Sequence, residues 1–323
     1  LLRDAAFGAA FSVATTLLVF PLTLWQGFYR EHAYGLATQS LGAWLGDQMT
    51  ELAVGTLIGG LFVALLYAVL RRAGERWWLW GAALSMALLA LMVVVAPLWI
   101  EPLFNTYKPA EPGPVKDAVL TMARANGVPV DNVLVFDASR QTTRVSANVS
   151  GMFGTASVRM NDNLLRRTSL AEVRAVMAHE IGHYAMNHIP KMLLMFGAIA
   201  LAGFAFSQWA MRWLLAWRGA RWGIAGVADV ASLPLLSAVL SAWLLLATPL
   251  INTIIRTQET EADLFGLNLA REPVGMAEVL LKLTEYRKPD PGAWEEAIFF
   301  DHPSTRTRVH NAMRWRQQMQ PPR

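Results

Sequence analysis

Five stretches of this sequence are apolar and about 20 residues or longer, which is enough to cross the hydrocarbon core of a membrane as a helix. They cover about residues 5–25, 52–70, 77–99, 192–217 and 230–255. Charged residues make up only 16% of the chain, whereas a soluble domain has about 25%. The sequence therefore predicts a mainly α, polytopic integral membrane protein with about five transmembrane helices.

The basic balance of the chain limits its partners. The formal net charge is +4 at pH 7, and there is no cysteine. A basic chain suits nucleic acid or an anionic membrane surface. Because the basic residues flank the apolar stretches, we predict the lipid bilayer as the partner and no nucleic acid. The lack of cysteine excludes disulfides and cysteine-ligated zinc.

The apolar stretches divide the chain into four predicted parts. Residues 1–100 contain three transmembrane helices, and residues 191–256 contain two more. Between them, residues 101–190 form a soluble part. Residues 257–323 form a polar, mostly helical C-terminal part.

The soluble part is predicted to contain a helix, a small β-sheet and a second helix. "EPGPVKDAVLTMARANG" has Pro114 near its start and Gly127 at its end, as a helix does. "DNVLVFDAS" alternates apolar and polar residues, as a strand does. "RVSANVSGMFGTASVRMND" then predicts two short strands around a turn from Gly151 to Gly154.

The second helix of the soluble part carries a metal-binding pattern, "VMAHEIGHYAMNH". Ser169 forms a capping box at its start. His179 and His183 are four residues apart and share one face of a helix. With Glu180 they make H-E-x-x-H, the zinc peptidase pattern in which two imidazoles hold the metal and a carboxylate moves a proton. A polar helix face with two solvated histidines is the alternative that the motif alone leaves open.

Two histidines do not complete a catalytic zinc site, which has three protein ligands. His188, at the end of the same predicted helix, is expected to be interfacial. Glu259 and Asp263 are four residues apart in "IIRTQETEADLFG" and share a helix face. One can bind metal while the other accepts the outer N–H of a ligating histidine, and Arg256 can offset their charge. A solvated acidic turn is the alternative.

These segments resemble the integral-membrane zinc metallopeptidases of the CAAX prenyl protease 1 (Ste24-like) family, peptidase family M48. The HtpX-type peptidases are less similar. The third-ligand motif of the family, R-x-x-E-x-x-A-D, is present as Arg256, Glu259, Ala262 and Asp263. Other similar blocks are "YREHAYGLATQSLGAWLGD", "PLFNTYKPAEPG", "SANVSGMFGTASVRMNDNLL" and "DHPSTRTRVHNAM". The resemblance runs from about residue 25 to 315.

The resemblance implies a gluzincin-like α+β zinc peptidase domain with a small β-sheet. It implies that His179, His183 and Glu259 bind Zn²⁺. It also implies that Asp263 accepts the outer N–H of a ligating histidine, and that His302 donates a hydrogen bond to the oxyanion. The remaining expected roles are Glu180 as general base and Asn148 and Arg306 in substrate binding. Family members have seven spans, which implies that two N-terminal spans are missing from this sequence.

The expected function is therefore that of a membrane-embedded zinc metalloendopeptidase. Its expected substrate is a peptide or protein, either membrane-associated or prenylated. The alternatives are an HtpX-like quality-control peptidase and a non-catalytic membrane scaffold. The expected location is the inner or plasma membrane of a bacterium, or the endoplasmic reticulum of a eukaryote. The resemblance places the catalytic part on the cytoplasmic side, whereas arginines in the short loops predict the reverse.

Overall fold

The computed structural model describes residues 1–150 and 156–319, so the turn predicted from Gly151 to Gly154 lies outside the described residues. The helices are α1 (Leu2–Leu24), α2 (Arg30–Ala33), α3 (Leu41–Ala73), α4 (Trp77–Val95), α5 (Pro114–Ala125), α6 (Asp162–Arg167), α7 (Leu170–Ala185), α8 (His188–Arg218), α9 (Leu233–Ala270), α10 (Pro273–Lys282), α11 (Ala293–Phe299) and α12 (Thr305–Met319). The strands are β1 (Tyr107–Pro109), β2 (Val133–Phe136), β3 (Ala147–Ser150) and β4 (Ser157–Asn161).

The chain forms two compact units. The first unit contains Leu1–Tyr34, Ser40–Leu91 and Leu193–Ala247, and the second contains Gly35–Gln39, Met92–Met192 and Thr248–Arg323. The chain thus changes unit near residues 35, 40, 92, 193 and 248, whereas the sequence placed its boundaries at 101, 191 and 257. The predicted division into four parts stays a prediction.

Long apolar helices confirm the predicted membrane protein. Four helical segments of the described chain are long and apolar enough to cross a membrane, namely Leu2–Ala33, Leu41–Leu103, His188–Trp222 and Val230–Ala270. The second of these contains both α3 and α4, joined by a 3₁₀ turn at Gly74–Arg76. Gly74 has φ +52°, a backbone conformation that favours glycine. The five predicted apolar stretches therefore correspond to five long helices.

The first unit packs through small residues and a buried tyrosine. An added Cβ on Gly8 would lie 2.8 Å from Val63, and one on Gly60 would lie 3.1 Å from a backbone oxygen of α1. Helices α1 and α3 approach closely because these positions lack side chains. Tyr67 is fully buried, and its hydroxyl is 2.8 Å from that of Ser232. A paired hydroxyl avoids the cost of an unsatisfied polar group in an apolar core.

The second unit is built on a small mixed sheet in the order β1-β2-β4-β3. Strands β2 and β4 are parallel, and the two outer pairs are antiparallel. The core of this unit includes Val119 of α5, Val133 and Val158 of the sheet, and Met177 of α7, all fully buried. This arrangement confirms the predicted fold class, mainly α with a small sheet, and places β3 at one edge.

Candidate active site

Helix α7 positions three of the predicted site residues. Its first turn is held by the predicted capping box, since the Ser169 hydroxyl accepts from the Glu172 N–H and the Glu172 carboxylate accepts from the Ser169 N–H at 2.7 Å. Two turns on, His179 is buried with 7% of its surface exposed. His183 follows one turn later, with its Nε2 3.1 Å from that of His179. Both imidazoles therefore point to one place.

Helix α9 supplies the opposing carboxylates because it continues as a helix from its apolar part into its polar end. It approaches α7 at two glycines. An added Cβ on Gly266 would lie 3.0 Å from the backbone nitrogen of His179, and one on Gly182 would lie 3.1 Å from Phe265. Side chains at either glycine would push the helices apart. The close contact sets the distance between the histidines of α7 and Glu259.

Glu259 reaches both histidines. Its Oε2 is 3.3 Å from His179 Nε2, and its Oε1 is 3.4 Å from His183 Nε2. The three donor groups lie within 4.8 Å of one another. Within the described chain, Glu259 Oε2 is buried without a hydrogen-bond partner. Two imidazoles and a buried carboxylate with an unused lone pair fit a divalent transition-metal ion such as zinc.

Asp263 contacts the far side of His179. Its Oδ1 is 2.9 Å from His179 Nδ1. Arg308 of α12 donates to both carboxylate oxygens of Asp263, at 2.7 and 2.6 Å. This bidentate pair is buried and holds the carboxylate in one orientation. Asp263 therefore contacts the outer nitrogen of His179, and Arg308 is a partner of Asp263 that sequence reasoning did not assign.

Arg306, predicted to bind substrate, lies elsewhere. It is exposed, and its Nη1 donates to Asp290 at 3.0 Å. Residues two positions apart on a helix point to different faces, so Arg308 turns into the site while Arg306 turns out. A helical-wheel comparison of the two arginines could have separated them.

His302 does come to the metal-binding group. Its Nε2 is 3.2 Å from Glu259 Oε2, and its Nδ1 is 2.8 Å from Asp301 Oδ1.

Arg256 makes a contact other than the expected one. Its guanidinium donates to the backbone carbonyls of Glu296, at 2.9 Å, and Phe300. Arg256 thus holds the chain that leads to His302.

A cleft of about 240 Å³ passes over these residues. Its lining includes Ala147 of β3, Glu180 and several apolar side chains of α10. Asn148 is absent from this lining, since neighbouring strand residues face opposite sides of a sheet. The Asn161 N–H donates to Ser146. Ser146 and Asn161 are therefore a hydrogen-bonded pair between the two strands. Such pairs alternate with non-hydrogen-bonded pairs along an antiparallel ladder, so the next pair, Ala147 and Met160, is not hydrogen-bonded. The backbone N–H and C=O of Ala147 therefore point away from β4.

The local environment shifts the pKa of two α7 side chains. Burial raises the pKa of Glu180, against the opposing charges of His179 and His183. Burial disfavours the charged form of His179, but its contacts with Asp263 and Glu259 outweigh this and raise its pKa to about 10. Without metal, His179 is therefore protonated at neutral pH.

The proton on His179 predicts a pH dependence of metal binding. An imidazole that binds a metal must be neutral, so metal binding at His179 would release this proton. We expect affinity to rise about tenfold per pH unit between pH 6 and 8, in proportion to proton release. Competition with a chelator of known proton affinity measures this dependence. An affinity independent of pH would contradict it.

Several membrane-spanning helices and a His/His/Glu group beside a sheet edge define a membrane metallopeptidase. Residues 109–316 match the family described as Peptidase family M48. Residues 1–106 match the family described as CAAX prenyl protease N-terminal, five membrane helices. The chain belongs to peptidase family M48, in its CAAX prenyl protease 1 (Ste24-like) group. Within residues 1–106 the structure has three long apolar helices, α1, α3 and α4.

Individual relatives agree with this assignment. An uncharacterized metalloprotease of Bacillus subtilis (strain 168), YhfN, is 27% identical over 96% of this chain and 73% of its own length. CAAX prenyl protease 1 of Saccharomyces cerevisiae is 28% identical over 59% of this chain, and the match spans only 43% of the yeast protein. The crystal structure of S. mikatae Ste24p shares the fold, with a TM-score of 0.81, 21% identity and coverage of 94% of this chain and 73% of that chain.

Proposed function

We propose that this protein is a zinc endopeptidase in which His179, His183 and Glu259 hold the metal. The observation that carries the proposal is the placement of one buried carboxylate between two imidazole Nε2 atoms, at 3.3 and 3.4 Å. A two-histidine, one-carboxylate set with room for substrate is typical of catalytic zinc. When bound, Zn²⁺ polarises the scissile carbonyl and makes water a stronger acid.

Glu180 acts as the proton carrier in this proposal. It lines the cleft beside the histidines and is no part of the ligand group. Its carboxylate accepts a proton from the attacking water and then donates it to the leaving amine. The raised pKa of Glu180 supports this role, because a carrier works best when its pKa is near the working pH.

Strand β3 holds the substrate in this proposal. An extended peptide adds to a free sheet edge through backbone hydrogen bonds, and the backbone of Ala147 offers such an edge beside Glu180. The apolar lining of the cleft, including Val176, Met276 and Leu280, suits apolar substrate side chains. Asn148 pairs with Arg159 of β4, so in this proposal it keeps β3 in the sheet beside Ala147, whose backbone groups bind the substrate.

Substrate identity and location extend the proposal. Several relatives are named CAAX prenyl protease 1, so we include prenylated C-terminal segments among the substrates, beside unmodified membrane proteins.

We also propose that the catalytic residues face the cytoplasm. They would lie on the cytoplasmic side of the bacterial inner membrane or on the cytoplasmic side of the endoplasmic reticulum membrane. The chain has no cysteine, so R306C at an exposed site tests this. Labelling of intact cells or sealed vesicles by an impermeant maleimide from the opposite side would contradict the orientation.

The function is tested by metal content and peptide hydrolysis. Purified protein should contain one zinc per chain and cleave a quenched peptide, and chelation should abolish both. Prenylated and unprenylated versions of one peptide separate the two substrate classes. A metal-free preparation that cleaves at the same rate would contradict a zinc peptidase.

His302 is proposed to donate from Nε2 to the oxyanion, given its position next to Glu259. His302→Ala should lower kcat about 10²- to 10³-fold, the usual effect of losing one such donor. KM should change little, because the contact strengthens only in the transition state. Steady-state kinetics and zinc analysis check this. A raised KM with kcat intact would make His302 a substrate-binding residue, and zinc loss would make it a ligand.

A further inference from the structure

His188 does not end helix α7, as the sequence predicted, but begins α8. In a continuous helix it would lie roughly 140° round from His183. Instead, α7 ends at Ala185 and Asn187 adopts φ +57°, a left-handed conformation that asparagine tolerates. This break turns the chain back, so that His188 Nδ1 lies 2.9 Å from His183 Nδ1.

A single hydrogen can lie between these two ring nitrogens, because one must donate and the other accept. His183 Nε2 faces the metal-binding group, at 3.4 Å from Glu259. Its lone pair must stay free for a metal, so the hydrogen of His183 is on Nδ1. His188 then accepts at Nδ1 and carries its own hydrogen on Nε2.

The hydrogen on His188 Nε2 also has an acceptor. Glu261 Oε2 is 3.1 Å away, and Lys191 Nζ is 3.8 Å from the same oxygen. His188 is 1% exposed, whereas the side chain of Glu261 is 41% exposed. The contacts therefore run from a buried imidazole to a carboxylate at the surface. Both nitrogens of His188 are used, which leaves it no lone pair for the metal.

We propose that His188 and Glu261 are positioning residues that fix the tautomer and ring orientation of His183. The inference rests on the proposed function, in which His183 binds zinc. The outer nitrogen of a ligating histidine usually donates to a carboxylate, carbonyl or water, which raises ligand basicity. Asp263 serves His179 directly, at 2.9 Å. His183 reaches its carboxylate through a second imidazole.

The test measures zinc affinity of the full chain in detergent, by competition with a chelator series. His188→Phe fills the space but cannot accept, and should weaken binding about 10- to 100-fold. His188→Asn places an oxygen near the position of Nδ1 and should recover most of the affinity. Glu261→Ala, at a surface position, should weaken binding by a smaller factor. Glu278→Ala on the exposed side of α10 is the matched control and should have no effect.

The double variant distinguishes a hydrogen-bonded series from general loss of packing. In the His188→Phe background, Glu261→Ala should cost nothing further, because the connection is already broken. Affinity of His188→Phe within about twofold of the parent, far below the usual effect, would overturn the proposal. Unchanged affinity in Glu261→Ala, or full additivity of the two substitutions, would do so as well. His183→Ala distinguishes failure of the positioning proposal from failure of the proposed function. If the His183→Ala variant keeps one zinc per chain, His183 is not a zinc ligand.

Discussion

Glu180→Gln is expected to lower kcat by about 10²- to 10⁴-fold, the contribution of a positioned general base. Glutamine has nearly the same shape as glutamate, but it cannot accept a proton from water or return one to the leaving amine. Because Glu180 lies beside the ligand group and not in it, zinc content should stay at one per chain. The melting temperature of the metal-loaded protein should stay close to that of the parent.

Single-turnover hydrolysis of a quenched peptide, with zinc measured on the same samples, checks this expectation. Glu278→Gln, an exposed carboxylate on α10, is the matched control for loss of one negative charge. Activity of Glu180→Gln within about tenfold of the parent would assign the proton transfer to another residue. Loss of zinc would instead show that Glu180 supports the metal.

Glu259→Ala is expected to remove most of the bound zinc, and activity with it. The substitution leaves two imidazoles, one fewer than the three protein ligands of catalytic zinc. The loss of zinc affinity should exceed the roughly 10- to 100-fold effect of replacing a residue that only hydrogen-bonds to a ligand. It also removes the carboxylate that His179, His183 and His302 all contact.

Zinc retained by Glu259→Ala would show that the third ligand is another residue. His302 is then the first candidate, because its Nε2 is 3.2 Å from Glu259 Oε2. Zinc affinity of the variant that lacks both Glu259 and His302 separates these cases. If His302 is the third ligand, His302→Ala by itself should remove the metal. If Glu259 is the third ligand, His302→Ala should leave the metal bound.

Properties set by neighbouring residues could be predicted from the sequence alone. Continuously apolar stretches of about 20 residues cross a membrane as helices, in which the backbone groups are paired within the segment. They therefore predicted the long helices. The Ser169 capping box and the four-residue spacing of His179 and His183 likewise depend on local geometry. Helical spacing also placed Glu259 and Asp263 on one face before any contact between α7 and α9 was known.

Contacts between distant residues depended on the tertiary structure. Arg308 pairs with Asp263 across 45 positions of the chain, and Arg256 reaches the carbonyl of Phe300 across 44. Such contacts depend on how the helices pack together. The spacing of residues within one helix does not indicate which other helix it packs against. The turn at Asn187 was not predicted either, because the apolar pattern there fits a continuing helix, although asparagine tolerates the left-handed conformation that the residue adopts. The sequence determined which helices form and which polar faces they carry, and their packing decided which of those faces meet.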